Sequence, residues 1–492
     1  MENIMSLQNG SDIRGVASEG IADEPVTLTP KHVSAIAASF ARWLKAKTGK
    51  EQVAVAIGRD SRISGPMLAE AAAKGLAAEG VKVYTFGYCS TPAMFMCLLD
   101  EELNCDGAIM LTASHLPFNR NGMKFFTREG GTGKGDIKDI LSDAKEVDTA
   151  AVNASPVEFD FLSRYAANLV TLIRERTGAQ TPFAGTKIIV DAGNGVGGFF
   201  ADKILVPLGA DVSGSVYLEP DGMFPNHIPN PEKKDVMQGF KQVVLNEKAD
   251  LGIIFDTDVD RAAVVDGNGT EINRNRIVAL MAAIVLEDMP GSTVVTDSVT
   301  SAGLKTYIES LGGVHHRFRR GYKNVIDESK RLNAQGTLSG LAIETSGHCA
   351  LKENYFLDDG AYMIVKILIK FAALKKKGQS ISDLIASLKE PAVSEEMRIK
   401  ITADDFKSYG EQVLADLKAF TQSKSGLSLE TPNHEGVRII FDSDSGDGWC
   451  LLRMSLHDPV MPLNLESASK DGYAKIKATM EEFLKKYDKL TF

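Results

Sequence analysis

Residues 255–266 read FDTDVDRAAVVD, and three of them are carboxylates at alternate positions, Asp256, Asp258 and Asp260. Three ionised carboxylates so close repel one another unless a cation lies between them. Oxygen donors of this kind suit a hard divalent cation, Mg²⁺ above all, and three carboxylates leave coordination positions open for phosphate oxygens. Arg261 adds a fixed positive charge beside them. The spacing is not that of an EF-hand, because neither the glycine at its sixth position nor the glutamate at its twelfth follows. A solvated acidic turn is the competing explanation, and the apolar strand that runs into the loop favours the metal.

A second stretch, IMLTASHLPFNRNGMKFF (residues 109–126), ends an apolar run on Ser114 and His115. Adjacent Ser and His do not make a hydrolase triad, which is assembled in space from distant residues. The elbow G-x-S-x-G is absent as well. A serine hydroxyl beside Mg²⁺ suits a different task, accepting and donating a phosphoryl group while the metal neutralises its charge. His115 and Lys124 are near enough in sequence to move protons or hold phosphate. Taken alone, TASH also fits an ordinary turn. ETSGH (344–348) offers a carboxylate, a hydroxyl and an imidazole for sugar hydroxyls, or again a plain turn. RFRRGYKN concentrates Arg317, Arg319, Arg320 and Lys323, either as a phosphate or sugar contact or as a solvated basic face. GRDSR (58–62) follows a strand, and its charges are expected to tie domains together.

These residues need a scaffold that brings strand-end loops to one place. The chain alternates strands with amphipathic helices, the signature of α/β layering. QVAVAIGRD, SGPMLAEAAAKGLAAEG, VKVYTFG, TPAMFMCLLDEEL and DGAIMLTASH read as strand, helix, strand, helix, strand. The order recurs twice, from TKIIVDAGNG to ADLGIIFDTDVD and from STVVTDSVTS to LSGLAIETSGH. Strand starts near 53, 187 and 293 are matched by closing loops near 112, 256 and 344. Ligands in such sheets bind beyond the carboxyl ends of strands, where all three polar loops fall. After about residue 390 the pattern changes. GVRIIFDSDSGDGWCLLRMS reads as a hairpin, and GYAKIKATMEEFLKKYDKL as a closing helix.

The 492 residues exceed one ordinary core and suggest three or four domains. Hydrophobic content of 44% and charged content of 24% describe a soluble globular chain. A net charge of -10 argues against nucleic acid as a partner, while a local cationic pocket still admits anionic substrates. Five cysteines without CxxC spacing point to reduced, buried thiols and a cytoplasmic setting. MENIMSLQNG lacks a signal-peptide pattern. The longest apolar run, IVALMAAIVL (277–286), is about half the length that spans a bilayer, so a buried helix and no membrane partner are expected.

The ordered set of motifs resembles the α-D-phosphohexomutase superfamily, which includes phosphoglucomutases and phosphomannomutases. The likeness runs from SDIRG to LLRMS, through GRDSR, TASHLPFNRNGMK, PDGMFPNHIPNPE, DTDVDR, GYKNVI and ETSGH. It implies four domains around a central cleft: three repeated α/β domains with mixed sheets (1–155, 156–268 and 269–390) and a smaller C-terminal α+β domain (391–492). It implies that Ser114 carries the phosphate, and that this phosphate and Asp256, Asp258 and Asp260 bind Mg²⁺. Arg14, His115, Lys124 and Arg261 would surround the transferring group, Lys124 as candidate general base. Glu344 and Ser346 would grip the sugar, with His348 and Lys323 beside them. The implied substrates are hexose phosphates of glucose or mannose, interconverted through a hexose 1,6-bisphosphate by a monomer or homodimer.

One segment departs from the resemblance. The fourth-domain phosphate loop of the superfamily usually reads Arg-x-Ser-Gly-Thr-Glu-Pro, and here RMSLHDP stands in its place. Arg453 and Ser455 are kept, while Leu456 and His457 replace the Gly-Thr pair. Glycine lets backbone amides approach a phosphate closely; leucine brings bulk and no donor, and His457 offers a proton-dependent donor. Three activities follow: a mutase, a hexose 1,6-bisphosphate synthase fed by another sugar bisphosphate, or a silent sugar-phosphate-binding protein. The intact Ser114 and aspartate loops count against the last.

Overall fold

The computed structural model describes residues 3–150, 152–455 and 458–491. Among the described residues four sheets follow one another, of eight, four, four and six strands. The first is mixed. Its parallel centre joins Ala54–Arg59 to Lys82–Tyr88 on one side and to Gly107–Leu111 on the other. Arg120–Thr127 then pairs antiparallel with Gly107–Leu111, setting Met110 opposite Lys124. The run between these two strands is the Ser114 loop.

The second sheet repeats the device. Ile188–Asp191 lies parallel to Leu251–Phe255, which turns back antiparallel into Ala262–Asp266 with Phe255 opposite Ala262. All fourteen residues of these three strands are buried, as a sheet covered on both faces requires. In the third, Thr293–Thr296 is flanked by Val314–Arg317 and Ser339–Ile343, both parallel to it. The expected closing loops near 112, 256 and 344 thus begin one residue after the strands that end at Leu111, Phe255 and Ile343. The last sheet is antiparallel throughout and contains the expected hairpin, Val437–Phe441 against Gly448–Leu452.

The helices follow their sequence signals. Gly65–Ala78 is alanine-rich and packs against Pro30–Thr48 closely enough that a Cβ on Gly75 would meet the Ser34 carbonyl at 2.1 Å. The apolar run 277–286 is wholly buried within the helix Arg274–Asp288. TPAMFMCLLDEEL is shorter than expected: the α-helix ends at Met96 and a 3₁₀ turn follows over Cys97–Leu99. The Asp100 carboxylate then takes the amides of Glu102 and Leu103 at 3.1 and 3.0 Å, capping a new turn in place of helix.

The chain gathers into two compact units, Met1–Asn273 with Ser346–Cys349 and Leu357–Ser382, and Arg274–Thr345 with Ala350–Phe356 and Asp383–Phe492. All five cysteines are buried and unpaired. Among the described residues, no helix is long and apolar enough to cross a membrane.

Candidate active site

Strands and strand-end loops of the first unit bring nine of the expected residues together. Ser114 stands three residues past its strand with φ at +50°, a left-handed backbone that places its side chain off the sheet. Its amide donates to Thr112 Oγ1 at 2.9 Å. Its hydroxyl donates to Asp256 Oδ2 at 3.2 Å and accepts from Arg261 Nη2 at 2.9 Å. His115 Nδ1 lies 3.3 Å from the same hydroxyl and 2.7 Å from Arg261 Nη2. Burial, with Arg261 and Arg14 nearby, pushes the His115 imidazole down to about 2, so it is neutral here. Arg14 binds the Thr112 carbonyl and pairs with Asp12 at 2.9 Å, which holds it at the root of the serine loop.

The aspartates lie in the hairpin loop between Leu251–Phe255 and Ala262–Asp266, and all three are fully buried. Lys124 reaches across from the first sheet, with Nζ 2.6 Å from Asp260 Oδ2 and 3.8 Å from Asp258 Oδ2. Burial works against an ionised Asp260, but Lys124, His348 and Arg261 outweigh it and hold the carboxyl below its usual range. Asp256 goes the other way: burial and the charge of Asp260 raise it, against Arg261 Nη2 at 2.8 Å. Two carboxylate oxygens, Asp258 Oδ1 and Asp260 Oδ1, are buried without a hydrogen-bond partner. Oxygens of the three carboxylates lie within 4.8 Å of one another. Acceptors left so exposed to their own repulsion fit a metal ion, and this acidic group is able to hold one.

The loop's backbone carries the same mark. Val259 is β-branched, fully buried, and has φ at +67°, an arrangement that costs about 1–3 kcal/mol and persists only where the surroundings impose it. Two glycines supply the fit. A Cβ on Gly360 would meet the Val259 carbonyl at 2.8 Å, and one on Gly347 (φ +97°) would meet the Ala262 carbonyl at 2.9 Å. Ser346 and His348 flank Gly347. The His348 ring donates through Nδ1 to Asp358 at 2.6 Å and lies 3.9 Å from Asp260. Burial disfavours its charge, but Asp358 and Asp260 prevail and raise it to about 9.

Glu344 belongs to the second unit, as do Lys323, Arg453 and Ser455. Glu344 is buried and accepts the Gly321 amide at 2.6 Å. Lys323 pairs with Asp327 one turn along its helix at 3.3 Å. Arg453 is buried, its Nε without a hydrogen-bond partner, and burial lowers its basicity. Ser455 donates its amide to Val460 at 2.8 Å and accepts Asp458 N at 3.3 Å. Leu456 and His457 lie outside the described residues.

Several participants escape a reading of the sequence. Thr91 hydrogen-bonds Asp258 Oδ2 at 2.5 Å through its hydroxyl and the Asp258 carbonyl at 2.9 Å through its amide. Asn230, in the PNPE segment, lies 3.4 Å from Arg261 Nη1. Asp358 orients His348. Three arginines of the basic run also have protein partners. Arg317 pairs with Glu430 at 2.6 Å, Arg319 donates to the His434 carbonyl at 3.0 Å, and Glu435 accepts the Arg320 amide at 3.2 Å.

The chain is similar to known proteins along most of its length. Residues 5–151, 163–269 and 273–391 match domains I, II and III of the family described as phosphoglucomutase/phosphomannomutase, each an alpha/beta/alpha domain. The chain belongs to the phosphoglucomutase/phosphomannomutase family. It is a phosphohexomutase-type enzyme, with a further C-terminal domain after the three matched ones. It is 30% identical to the phosphoglucomutase of Neisseria gonorrhoeae over 94% of each chain. It is 30% identical to the phosphomannomutase/phosphoglucomutase of Pseudomonas aeruginosa, over 98% of this chain and 96% of the relative. A solved phosphoglucomutase/phosphomannomutase family protein from Burkholderia thailandensis superposes with a TM-score of 0.80 at 27% identity, over 99% of each chain.

Proposed function

We propose that the enzyme interconverts the 1- and 6-phosphates of α-D-hexoses, glucose or mannose, through a phosphoserine at Ser114 and a hexose 1,6-bisphosphate. One observation carries the reading: a hydroxyl held by Asp256 and Arg261 stands beside buried carboxylate oxygens that accept no hydrogen bond. Relatives with both activities in their names support the substrate class.

In this reading the O–P bond at Ser114 Oγ breaks as a hexose hydroxyl oxygen bonds to phosphorus. The resulting bisphosphate turns and returns its other phosphoryl group to the serine. Arg261 and Arg14 hold the charge of the transferring group, and neutral His115 fills the space beside the hydroxyl. Mg²⁺, held by Asp256, Asp258, Asp260 and the Ser114 phosphate, would supply further charge neutralisation. Lys124 is the candidate base for the hexose hydroxyl proton, a role it fills only as the neutral amine, outside its ion pair with Asp260. Glu344 and Ser346 bind sugar hydroxyls, with His348 and Lys323 beside them. Arg453 and Ser455 receive the non-reacting phosphate.

The test is phosphorus NMR of glucose 1-phosphate and mannose 1-phosphate turnover with Mg²⁺ and a catalytic amount of hexose 1,6-bisphosphate, with peptide mass analysis of Ser114. Isomerised monophosphate far exceeding released bisphosphate is the expected result. Net release of bisphosphate at the expense of a donor would make the enzyme a synthase. The variant Ser114→Ala should lose at least about 10⁴-fold in rate, as removal of a nucleophile does. Full-rate turnover by that variant would overturn the phosphoserine.

A further inference from the structure

The loop that presents Ser114 makes few ties of its own. Within residues 114–120, Leu116 N reaches the Ala113 carbonyl at 3.1 Å and Arg120 N the Pro117 carbonyl at 3.0 Å. The carbonyls of Ser114, Leu116, Pro117 and Arg120 converge instead on one side chain, Arg62, from the GRDSR turn. Its Nη2 donates to Ser114 and, at 2.7 Å, to Leu116. Its Nη1 donates to Pro117 at 2.6 Å and Arg120 at 2.9 Å. Its Nε donates to Asp60 Oδ2 at 3.1 Å, while Asp60 Oδ1 takes the Arg62 amide at 2.9 Å. A guanidinium has five N–H donors in a fixed planar fork, and here all of them are engaged, four with one loop.

Arg62 is fully buried, and the ring of Phe224, from the PDGMF segment, covers its guanidinium at 5.2 Å. The two segments touch at backbone distance, since a Cβ on Gly222 would lie 2.4 Å from the Ser61 carbonyl. GRDSR therefore does more than join domains. The bond to the Ser114 carbonyl matters most, because it fixes the peptide plane next to a residue held at φ +50°. The orientation of that peptide decides whether the hydroxyl meets Asp256 and Arg261.

We propose that Arg62, locked by Asp60, is a positioning residue for phosphoryl transfer, its planar fork holding the Ser114 loop in the conformation that aims the hydroxyl at the metal loop. The proposal rests on Ser114 being the phosphoryl acceptor. Displacing a reacting atom by about 1 Å costs on the order of 10²-fold in rate, and a lysine ammonium at this position offers neither the fork nor five donors.

The test compares the full-length enzyme with Arg62→Lys and Asp60→Asn. Readouts are kcat and KM, the rate at which a hexose 1,6-bisphosphate phosphorylates Ser114, and hydrogen–deuterium exchange of residues 112–120. Arg62→Lys should lower kcat and the phosphorylation rate together by about 100-fold, with KM within about threefold and faster exchange confined to the loop. Asp60→Asn keeps the guanidinium and loosens its anchor, so a fall of about tenfold is expected, and it serves alone if Arg62→Lys does not fold. A folded Arg62→Lys with kcat within about threefold of the parent overturns the proposal. So does a rise in KM alone, or faster exchange throughout the chain with unchanged kcat per folded molecule. A parent enzyme that isomerises with no phosphate ever on Ser114 overturns the phosphoserine reading and this one with it. A phosphorylated parent with an unimpaired Arg62→Lys overturns the role of Arg62 only.

Discussion

The aspartate loop of the first unit and the arginine-rich strand end of the second both bury several charges of one sign, yet they treat them differently. Around Arg317 and Arg438 the protein supplies each charge with an opposite one. Glu430 pairs with both, and Arg317 also donates to the Ser301 carbonyl at 2.8 Å. Arg438 donates to the carbonyls of Ser298 and Thr300 at 2.8 and 3.1 Å and lies 3.5 Å above the Trp449 ring. Around Asp256, Asp258 and Asp260 two oxygens stay unmatched, and a valine is held in a left-handed conformation. Both regions look equally charged in sequence. What separates a charge kept for structure from one kept for a ligand is whether the protein satisfies it.

The largest effect expected from this contrast is at Asp258. Asp258→Asn removes one repelling charge and one cation ligand together. Phosphoryl transfer should fall by about 10²–10³-fold, and Mn²⁺ affinity, read by electron paramagnetic resonance, should weaken. Thermal stability of the metal-free protein should hold or rise, because repulsion is relieved. Loss of stability with full activity would make the loop a structural element like its counterpart.

Arg317→Met tests the other side. It removes one of the two guanidinium groups paired with Glu430 and leaves Arg438 in place, and losing a hydrogen bond to a charged group costs about 1.5–3 kcal/mol. Urea denaturation should show that loss, and Glu430→Gln, which takes the carboxylate from both arginines, should cost more. An equal or smaller loss in Glu430→Gln would mean that Arg317 acts through packing and not through charge.

Much of the site was legible because local rules fix it. An apolar strand running into an acidic or serine-bearing loop identifies the strand end, and the strands do stop at Leu111, Phe255 and Ile343. What a local reading cannot supply is the distant partner. RFRRGYKN shows four cations, but Glu430, the partner of Arg317, lies 113 residues further on, so that ion pair has no local signal. Thr91 reads as the first residue of a short helix, and its bond to Asp258 spans 167 positions. Asp358 did leave a trace. Of the paired acids before the apolar helix Gly360–Lys375, only Asp359 caps it, accepting Tyr362 N at 2.8 Å, and a second acid beside a cap residue is one that has another task.

The smallest effect sharpens the comparison through two histidines of opposite habit. His227, in the acid-flanked HIPN segment, holds Asp191 through Nε2 at 2.9 Å and the Ile228 carbonyl through Nδ1 at 3.0 Å. Burial disfavours its charge, but Asp191 outweighs that and raises it. His315 shares a hydrogen with Thr296 Oγ1 at 2.8 Å, and burial, then Arg317, Arg438 and Lys305, push it down. A raised histidine binds its proton more tightly folded than unfolded. Its stabilisation is therefore complete below the unfolded value of about 6.5 and is lost as pH rises through the folded one. A depressed histidine does the reverse: the native state keeps it neutral, so stability is complete above about 6.5 and is lost as pH falls below it. Urea midpoints measured between about pH 5 and pH 9 should show both limbs. His227→Gln should flatten the alkaline limb and His315→Gln the acid limb, each by about 1 kcal/mol, near the net worth of one hydrogen bond. Limbs that respond to both variants with the same sign would show that the two regions do not impose opposite fields on the histidines they hold.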